Sequence, residues 1–351
     1  MFRTKLLILI GCCALGACGG KAKSTARDMA APPPPPTDVP LTVGQYNATL
    51  RFVVQVQVGD APPFDALFDT GSAGLRLLPG AVPDSAFAQI SSTSMDETFG
   101  NTLVVTGRIA MADVTIGGLT TPAPIPVEHI DSFGCGDADP GCVVDDEVTA
   151  HFSGLVAILG VGMRNSDRTP VIGNPIVQLV GQPSFIVAAP PFPGGTGNLR
   201  ISPAAAEVPA FTPFSLAPDT HELYLPNQTP AWNDEAVPTC IDDETSGQQY
   251  CAGGFYDCGT PSTIIALPGQ LGDAMMLPAG DDVSVQIGAT ATTPAPLDYA
   301  FTVSATPLAG RDLVFLEATT GVEALNLGAA PYFAFDMFYD QLNGIIGFKT
   351  K

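Results

Sequence analysis

The chain contains two short segments in which an aspartate is followed closely by glycine and a hydroxyl-bearing residue. The first segment reads FDALFDTGSAGLRLLPG (residues 64–80), and the second reads GFYDCGTPSTIIALPG (residues 254–269). The two segments share Asp69, Gly71 and Ser72 in the first and Asp257, Gly259 and Thr260 in the second. Both continue into an apolar stretch that ends in Leu-Pro-Gly. This repetition indicates that one structural unit occurs twice.

A carboxylate held on such a turn is suited to acid–base chemistry. Glycine allows the backbone to approach closely, and the nearby hydroxyl group can donate a hydrogen bond to the carboxylate. Two such turns facing each other would bring their carboxyl groups close together, and like charges at short range do not both ionise easily. One group then acts as general base on water and the other as general acid. The sequence therefore predicts that Asp69 and Asp257 form an acid–base pair.

The residues around these turns are predicted to form β-strands. From Leu50 to Val58 apolar residues alternate with polar ones such as Arg51, a pattern that places the apolar side chains on one face of a half-buried strand. Helical signals are few, and the clearest is Asn174-Pro175 before an apolar stretch. A later Leu-Gly element follows each aspartate, in Ile158-Leu159-Gly160 and in Asn326-Leu327-Gly328. These features predict a duplicated β lobe.

Composition excludes several classes of partner. The 351 residues include 35 Asp and Glu against 14 Lys and Arg, which gives a formal net charge of −21. Phosphate binding needs clustered basic residues, so we expect no nucleic-acid partner and no basic patch for anionic lipid. The chain has 37 Gly and 34 Pro and is 46% hydrophobic. This combination favours a large, turn-rich β protein over a coiled coil or a disordered acidic chain.

The N-terminal residues are predicted to direct export. A short basic region and an apolar stretch too short to span a membrane precede Leu15-Gly16-Ala17-Cys18, which resembles the bacterial lipobox. We expect residues 1–17 to be a cleaved lipoprotein signal peptide and Cys18 to be lipidated. Residues 18–40, with five consecutive prolines, then form a tether to the cell envelope, at the outer membrane. An ordinary secretory signal or a membrane anchor is the alternative.

The remaining cysteines favour disulfide bonds over a metal site. In an oxidising compartment, the short loops between them predict the pairs Cys135–Cys142 and Cys240–Cys251 and leave Cys258 unpaired. Structural zinc is the alternative for these thiols. However, the chain has no Cys-x-x-Cys spacing and only three histidines, so we expect no metal.

Four elements of the sequence, taken in order, resemble motifs of the pepsin-like aspartic proteases. They are FDTGS (residues 68–72), AILGVG (residues 157–162), YDCGT (residues 256–260) and the closing segment that begins at Leu327-Gly328 and ends at Phe348. The resemblance spans residues 45–348. It implies an all-β, bilobal fold in which two β-barrel lobes, residues 41–203 and 204–351, are related by a pseudo-twofold axis and enclose a cleft.

The resemblance also implies an activity. It predicts a monomeric aspartic-type endopeptidase that hydrolyses peptide bonds beside apolar residues through an activated water, without a cofactor, on a peptide or protein substrate. Asp69 and Asp257 are the predicted catalytic residues. The predicted supporting residues are Thr70, Gly71, Ser72, Cys258, Gly259 and Thr260, and the predicted flap and substrate residues are Phe99, Gly100 and Arg76.

Three residues depart from the pattern of that family. Cys258 replaces a hydroxyl-bearing residue and is a weaker hydrogen-bond donor. Phe99 stands where the flap usually has tyrosine, and Arg76 stands where the family commonly has tryptophan. Three roles are open for Arg76, namely bonding the flap, binding a substrate carboxylate and lying on the surface. Because a fold does not guarantee an activity, two functions follow: a working hydrolase, and a pepsin-fold surface lipoprotein that binds a peptide or protein partner.

Overall fold

The computed structural model describes residues 35–99, 103–136, 140–165, 171–179, 184–219, 225, 227–269, 275–305, 311–319, 321 and 323–351. The predicted signal peptide, Cys18, Gly100 and most of the predicted tether lie outside these ranges. The described residues belong to one compact unit, Pro34–Lys351. None of the helices in these ranges is long and apolar enough to cross a membrane.

The first half of the described chain consists mainly of strands. These are β1 Thr37–Tyr46, β2 Thr49–Val58, β3 Phe64–Asp69, β4 Ala73–Leu77, β5 Gln89–Phe99, β6 Leu103–Ala112, β7 Val114–Ile116, β8 Leu119–Thr120, β9 Ile125–Cys135, β10 Ala157–Val161, β11 Ser184–Ala188 and β12 Gly195–Ile201. Strand β1 starts four residues before the predicted lobe boundary at Leu41. Its early start follows from Val39, which is buried on the same face as Leu41 and Val43.

The second half continues in the same way. Its strands are β13 Thr212–Ser215, β14 Val237–Asp243, β15 Gln248–Phe255, β16 Thr263–Pro268, β17 Met275–Met276, β18 Asp282–Ile287, β19 Leu297–Thr302, β20 Val314–Thr319, β21 Ala324–Asn326, β22 Phe335–Asp340 and β23 Ile345–Thr350. The α-helices are α1 Val144–Phe152 and α2 Pro331–Ala334. Short 3-10 turns occupy Asp84–Ala86, Ile176–Gln178 and Val208–Ala210. The turn at Ile176 begins where Asn174-Pro175 predicted a helix start.

The strands form two sheets, one centred on each half of the chain. The larger sheet has the order β13-β23-β22-β11-β12-β1-β2-β3-β10-β4-β9-β6-β5, and β7 and β8 extend it beside β2. The second sheet has the order β17-β20-β16-β21-β15-β14-β18-β19. Strands β13, β22 and β23 come from the second half of the sequence and yet pair within the larger sheet. The two lobes therefore share a continuous sheet.

Each predicted Leu-Gly element crosses between the two strands that flank its aspartate turn. Strand β10 runs parallel to β3 and antiparallel to β4, with Gly160 opposite both Asp69 and Gly74. Strand β21 runs parallel to β15 and antiparallel to β16, with Asn326 opposite Phe255 and Ile264. The predicted repeat is thus present in three dimensions as two copies of one strand crossing.

Strand β2 follows the predicted alternation on one face and departs from it on the other. Leu50, Phe52 and Val54 lie in the main core, as the pattern predicts. Val53 is also buried, in a second apolar cluster that includes Phe152 of α1. Because α1 covers this other face, Arg51 is only 4% exposed, and its predicted position on a solvated face is wrong. Helix α1, about 100 residues later in the sequence, buries the Arg51 side chain, which the local alternation predicts to be exposed.

Candidate active site

The first aspartate turn holds Asp69 by two hydrogen bonds. Strand β3 ends at Asp69, and the chain turns before β4 begins at Ala73. The backbone N–H of Gly71 donates to Asp69 Oδ1 at 2.7 Å, and Ser72 Oγ donates to Asp69 Oδ2 at 2.5 Å. Both donors stabilise the carboxylate form and fix its orientation.

The second turn repeats this arrangement at Asp257. The backbone N–H groups of Gly259 and Thr260 donate to Asp257 Oδ1 at 2.9 and 3.1 Å, and Thr260 Oγ1 donates to Oδ2 at 2.6 Å. The glycine N–H and the hydroxyl donate to the same oxygens at the same offsets as in the first turn, and the backbone N–H of Thr260 adds a further donor. The Asp-x-Gly-Ser/Thr sequence common to the two turns therefore corresponds to a common set of hydrogen bonds.

The two turns bring their carboxyl groups into contact. Asp69 and Asp257 are 8% and 7% exposed, and a Cβ atom built on Gly259 would overlap Asp69 Oδ1 and lie 3.1 Å from Asp257 Oδ1. Glycine is required on both sides, because a Cβ atom on Gly71 would overlap the Asp257 carboxyl group and one on Gly259 would overlap that of Asp69. This reciprocal contact is the geometry that a shared proton requires.

A buried polar network beneath the pair links the two turns. Thr70 Oγ1 donates to the carbonyl oxygen of Tyr256 at 2.8 Å and accepts from the backbone N–H of Cys258 at 2.9 Å. In the reciprocal direction the thiol of Cys258 donates to the carbonyl oxygen of Phe68 at 3.2 Å. Burial raises the pKa of this thiol, as does the charge of Asp69, so it stays protonated and remains a donor. The thiol thus occupies the position of the missing hydroxyl.

Two tyrosines that sequence reasoning missed extend this network. Tyr332 Oη lies 2.8 Å from Thr70 Oγ1, donates to the carbonyl oxygen of Tyr256 at 2.8 Å, and lies 2.5 Å from Tyr339 Oη. Both rings are at most 2% exposed. They come from the last part of the chain, and no local pattern in the sequence connects them with the aspartates more than 70 residues earlier.

Asn326 makes the two carboxyl groups inequivalent. Its Nδ2 donates to Asp257 Oδ2 at 2.9 Å, which gives Asp257 a fourth hydrogen bond from protein donors. The corresponding residue of the first repeat is Ile158, which has no polar side-chain atom to offer Asp69. Hydrogen bonds to a carboxylate favour its ionised form. The difference between Asn and Ile within the repeat is the sequence signal that could have revealed this asymmetry.

The proton of the pair is held mainly by Asp69. Burial, and then the negative charge of Asp257, raise the pKa of Asp69 to about 7, although the donors Ser72 and Gly71 oppose this rise. Asp69 is therefore protonated in mildly acidic solution, and Asn326 gives Asp257 a donor that Asp69 lacks. The pair contains one acid and one carboxylate over this range.

A cavity of about 560 Å³ opens onto the pair. Its lining residues are Thr49, Arg51, Leu67, Asp69, Gly71, Ser72, Ala150, His151, Ile158, Asp257, Gly259, Thr260 and Pro261. Sequence reasoning placed the aspartates and their turns here but missed Arg51. The sequence feature that could have revealed Arg51 is its charge, because the other polar residues of β2 are threonine and glutamine.

Arg76 bonds the hairpin formed by β5 and β6. Its guanidinium lies 3.0 Å from Glu97 Oε1 on β5 and 3.2 Å from Glu128 Oε2 on β9, and it donates to the carbonyl oxygen of Ala73 at 2.9 Å. Arg76 is 6% and Glu128 only 1% exposed. Of the three roles left open, the contact with the predicted flap hairpin is the one observed. Phe99 pairs with Leu103 across this hairpin, and Gly100 lies outside the described residues.

The cysteines pair as predicted. Cys135–Cys142 and Cys240–Cys251 form disulfides, and Cys258 is a buried free thiol. The described part of the chain contains no group of three or more histidine, cysteine, aspartate or glutamate side chains placed to hold a metal ion.

Comparisons with known proteins agree with this architecture. An aspartic proteinase from Irpex lacteus has a similar structure, with a TM-score of 0.56 and 18% sequence identity over 90% of this chain and 98% of that proteinase. The fold is bilobal and pepsin-like. A family described as "Protein of unknown function (DUF3443)" matches residues 64–176, which include the first aspartate turn and its crossing strand. None of the curated proteins matches this chain.

Replacing Arg76 tests the buried ion cluster. We expect Arg76→Gln to lower the free energy of unfolding by about 3–5 kcal/mol, because it removes the cation 3.2 Å from the buried carboxyl group of Glu128. Urea denaturation measures the change. Arg200→Gln is the matched control, since Arg200 pairs with Asp38 and Glu207 at the surface and its loss costs about 1 kcal/mol or less. Equal losses in the two variants would contradict the assignment.

The pH dependence of stability tests the protonation of Asp69. The pKa of Asp69 is about 7 in the folded protein, against 3.8 for an ordinary aspartate, which represents the unfolded chain. Because the folded state binds this proton more tightly, its contribution to stability is complete below pH 4 and is lost as the pH rises through 7. In this interval the loss approaches about 1.4 kcal/mol per pH unit. We expect Asp69→Asn to remove this part of the decline in unfolding free energy measured in urea.

The control for this titration is Asp65→Asn, an exposed aspartate on the same strand, which should keep the pH dependence of the unmodified protein. Asp234, whose pKa burial raises to about 6, contributes equally to all three proteins. An Asp69→Asn variant whose stability follows the same pH curve as the unmodified protein would contradict the raised pKa of Asp69.

Proposed function

We propose that this protein is an aspartic-type endopeptidase in which Asp69 and Asp257 activate a water molecule. The observation that supports this proposal is the close approach of two buried carboxyl groups on opposed, similarly built turns. A pair of carboxyl groups that shares one proton supplies a base and an acid at the same place. The cavity at the pair, about 560 Å³ in volume, has room for a peptide segment.

The inequivalence of the two carboxyl groups suggests their roles. Asp257, stabilised as the carboxylate by Asn326, removes a proton from water as its oxygen attacks the peptide carbonyl carbon. Asp69 donates its proton to the carbonyl oxygen, which gives a neutral tetrahedral diol. When the C–N bond breaks, Asp257 donates the proton it gained to the leaving nitrogen, and Asp69 recovers a proton from a diol hydroxyl. The pair returns to its starting state.

We also propose that the protein is an exported monomer anchored to the cell envelope through a lipid on Cys18. Two disulfides support an oxidising compartment, since such bonds rarely persist in the cytosol. The apolar side chains of Leu67 and Ile158 in the cavity support a preference for an apolar residue next to the scissile bond.

A second candidate function is a peptide-binding lipoprotein with little or no catalysis. The thiol of Cys258 favours this candidate, because a thiol is a weaker donor than a hydroxyl and links the two turns less firmly. Both candidates use the same cavity, and they differ in whether bound peptide is cleaved.

Cleavage of a mixed peptide library between pH 3 and pH 8 separates the two functions. For an endopeptidase we expect cleavage that declines above about pH 7, as Asp69 loses its proton. Asp69→Asn and Asp257→Asn should each lower the rate at least about 100-fold, because each removes a proton-transfer group. Mass spectrometry of the products measures the rate.

Asp65→Asn serves as the control and should cleave at the rate of the unmodified protein, since this side chain is exposed and lines a different cavity. Peptide binding without cleavage at any pH would establish the second candidate. Cleavage that persists unchanged in both aspartate variants would overturn the role of the pair.

A further inference from the structure

Arg51 differs from the other arginines in the described part of the chain. Each of the other five has a carboxylate oxygen within 4.0 Å, as the pairs Arg76–Glu97, Arg108–Asp131, Arg164–Asp234, Arg200–Asp38 and Arg311–Asp312 show. Arg51 has no such pair among the described residues, although it is 96% buried and the other five are paired even where they are exposed. A buried cation without a bonded anion is costly unless something compensates its charge.

The guanidinium of Arg51 is held by neutral groups. Nε donates to Ser153 Oγ at 2.9 Å, and Nη2 donates to the carbonyl oxygens of Ala150 and His151 at 2.7 and 3.3 Å. Nη1 donates to the carbonyl oxygen of Gly259, in the second aspartate turn. Four of the five N–H groups of the side chain are thus satisfied, and one N–H on Nη1 has no acceptor among the described residues.

The position of Arg51 brings its charge to the cavity above the aspartates. It lines this cavity, and the negative charge of the aspartate pair raises its pKa against the larger lowering effect of burial. Its remaining N–H is on the nitrogen that bonds the second aspartate turn. The carbonyl groups at the end of α1 offset part of the positive charge, but they carry only partial charges.

We propose that Arg51 binds a carboxylate of the peptide that occupies this cavity, so that the protein prefers peptides with a carboxylate next to the segment held at Asp69 and Asp257. The proposal deepens the proposed function, on which it rests, by naming a substrate class. A carboxylate accepts the unused N–H and supplies the directly bonded anion that this arginine lacks among the described residues. Four hydrogen bonds hold the guanidinium in place before the peptide arrives, so little conformational freedom is lost on binding.

A purely structural role is the rival explanation. Arg51 caps the end of α1 and ties it to the second aspartate turn, and these contacts alone would make it a positioning residue. A positioning role affects all peptides equally, whereas a carboxylate-binding role changes the ratio between matched acidic and neutral peptides. The two roles are therefore distinguished by the ratio of kcat/KM for acidic and neutral peptides, and not by the rate on either peptide alone.

Two octapeptide libraries measure this ratio. They are identical except that one contains Asp and Glu where the other contains Asn and Gln, and each is made with a free and with an amidated C-terminus. We expect the full-length protein to cleave the acidic library at least about tenfold better in kcat/KM, the effect of a charge-assisted hydrogen bond. The two forms of the C-terminus distinguish a side-chain carboxylate from a terminal one.

Substitutions of Arg51 test whether this residue causes the preference for the acidic library. Arg51→Gln should bring the ratio close to one, Arg51→Lys should keep part of it, and Arg200→Gln, which removes a distant paired arginine, should keep all of it. If the unmodified protein shows no preference for either carboxylate source, or if the preference survives in Arg51→Gln, the proposal is overturned. The comparison of libraries on the unmodified protein gives this answer even if Arg51→Gln fails to fold.

A binding measurement separates this proposal from the proposed function. Immobilised Asp69→Asn protein is incubated with the same libraries, with Asp69→Asn/Arg51→Gln as the control. Retention of the acidic library that depends on Arg51, without cleavage by the unmodified protein, supports the carboxylate site and overturns the endopeptidase. Cleavage without any preference between the libraries supports the endopeptidase and overturns the carboxylate site.

Discussion

Two carboxyl groups within hydrogen-bond distance of each other repel strongly when both are ionised, and burial adds the loss of hydration to this repulsion. Asp69 and Asp257 tolerate this contact because they hold one proton between them and because N–H and hydroxyl donors surround both. The paired turns, the two glycines between the carboxyl groups and the link through Thr70 all serve to keep this contact in place. Strand β10 pairs with β3, which leads into the first turn, and β21 pairs with β15, which leads into the second.

Duplication supplies the symmetry of this site, and a few substitutions break it. Asn326 donates to one carboxyl group where Ile158 offers nothing to the other, so the two aspartates differ in their hydrogen-bond donors. Cys258 replaces the hydroxyl that Thr70 provides on the opposite side. A symmetric pair would have no fixed division between acid and base, and these differences supply one.

Local patterns were sufficient to predict the two aspartate turns and both disulfides, because each depends on residues close together in sequence. The positions of Arg51 and Tyr332 at the site depend instead on contacts between segments that are distant in sequence. Arg51 follows the alternation of an exposed polar residue, and only α1 and the second aspartate turn bury it. Tyr332 likewise has the appearance of an ordinary core aromatic residue until its hydroxyl group is seen beside Thr70.

A crystal structure with an uncleavable peptide shows whether the two aspartates contact the reacting group of a bound peptide. The peptide carries a hydroxyl-bearing tetrahedral carbon in place of one carbonyl group, and an acidic residue on one side of it. We predict that the hydroxyl group lies between Asp69 and Asp257, within hydrogen-bond distance of both carboxyl groups, and that the peptide occupies the cavity beside Arg51. A peptide bound elsewhere, or a hydroxyl group that contacts neither aspartate, would contradict the account.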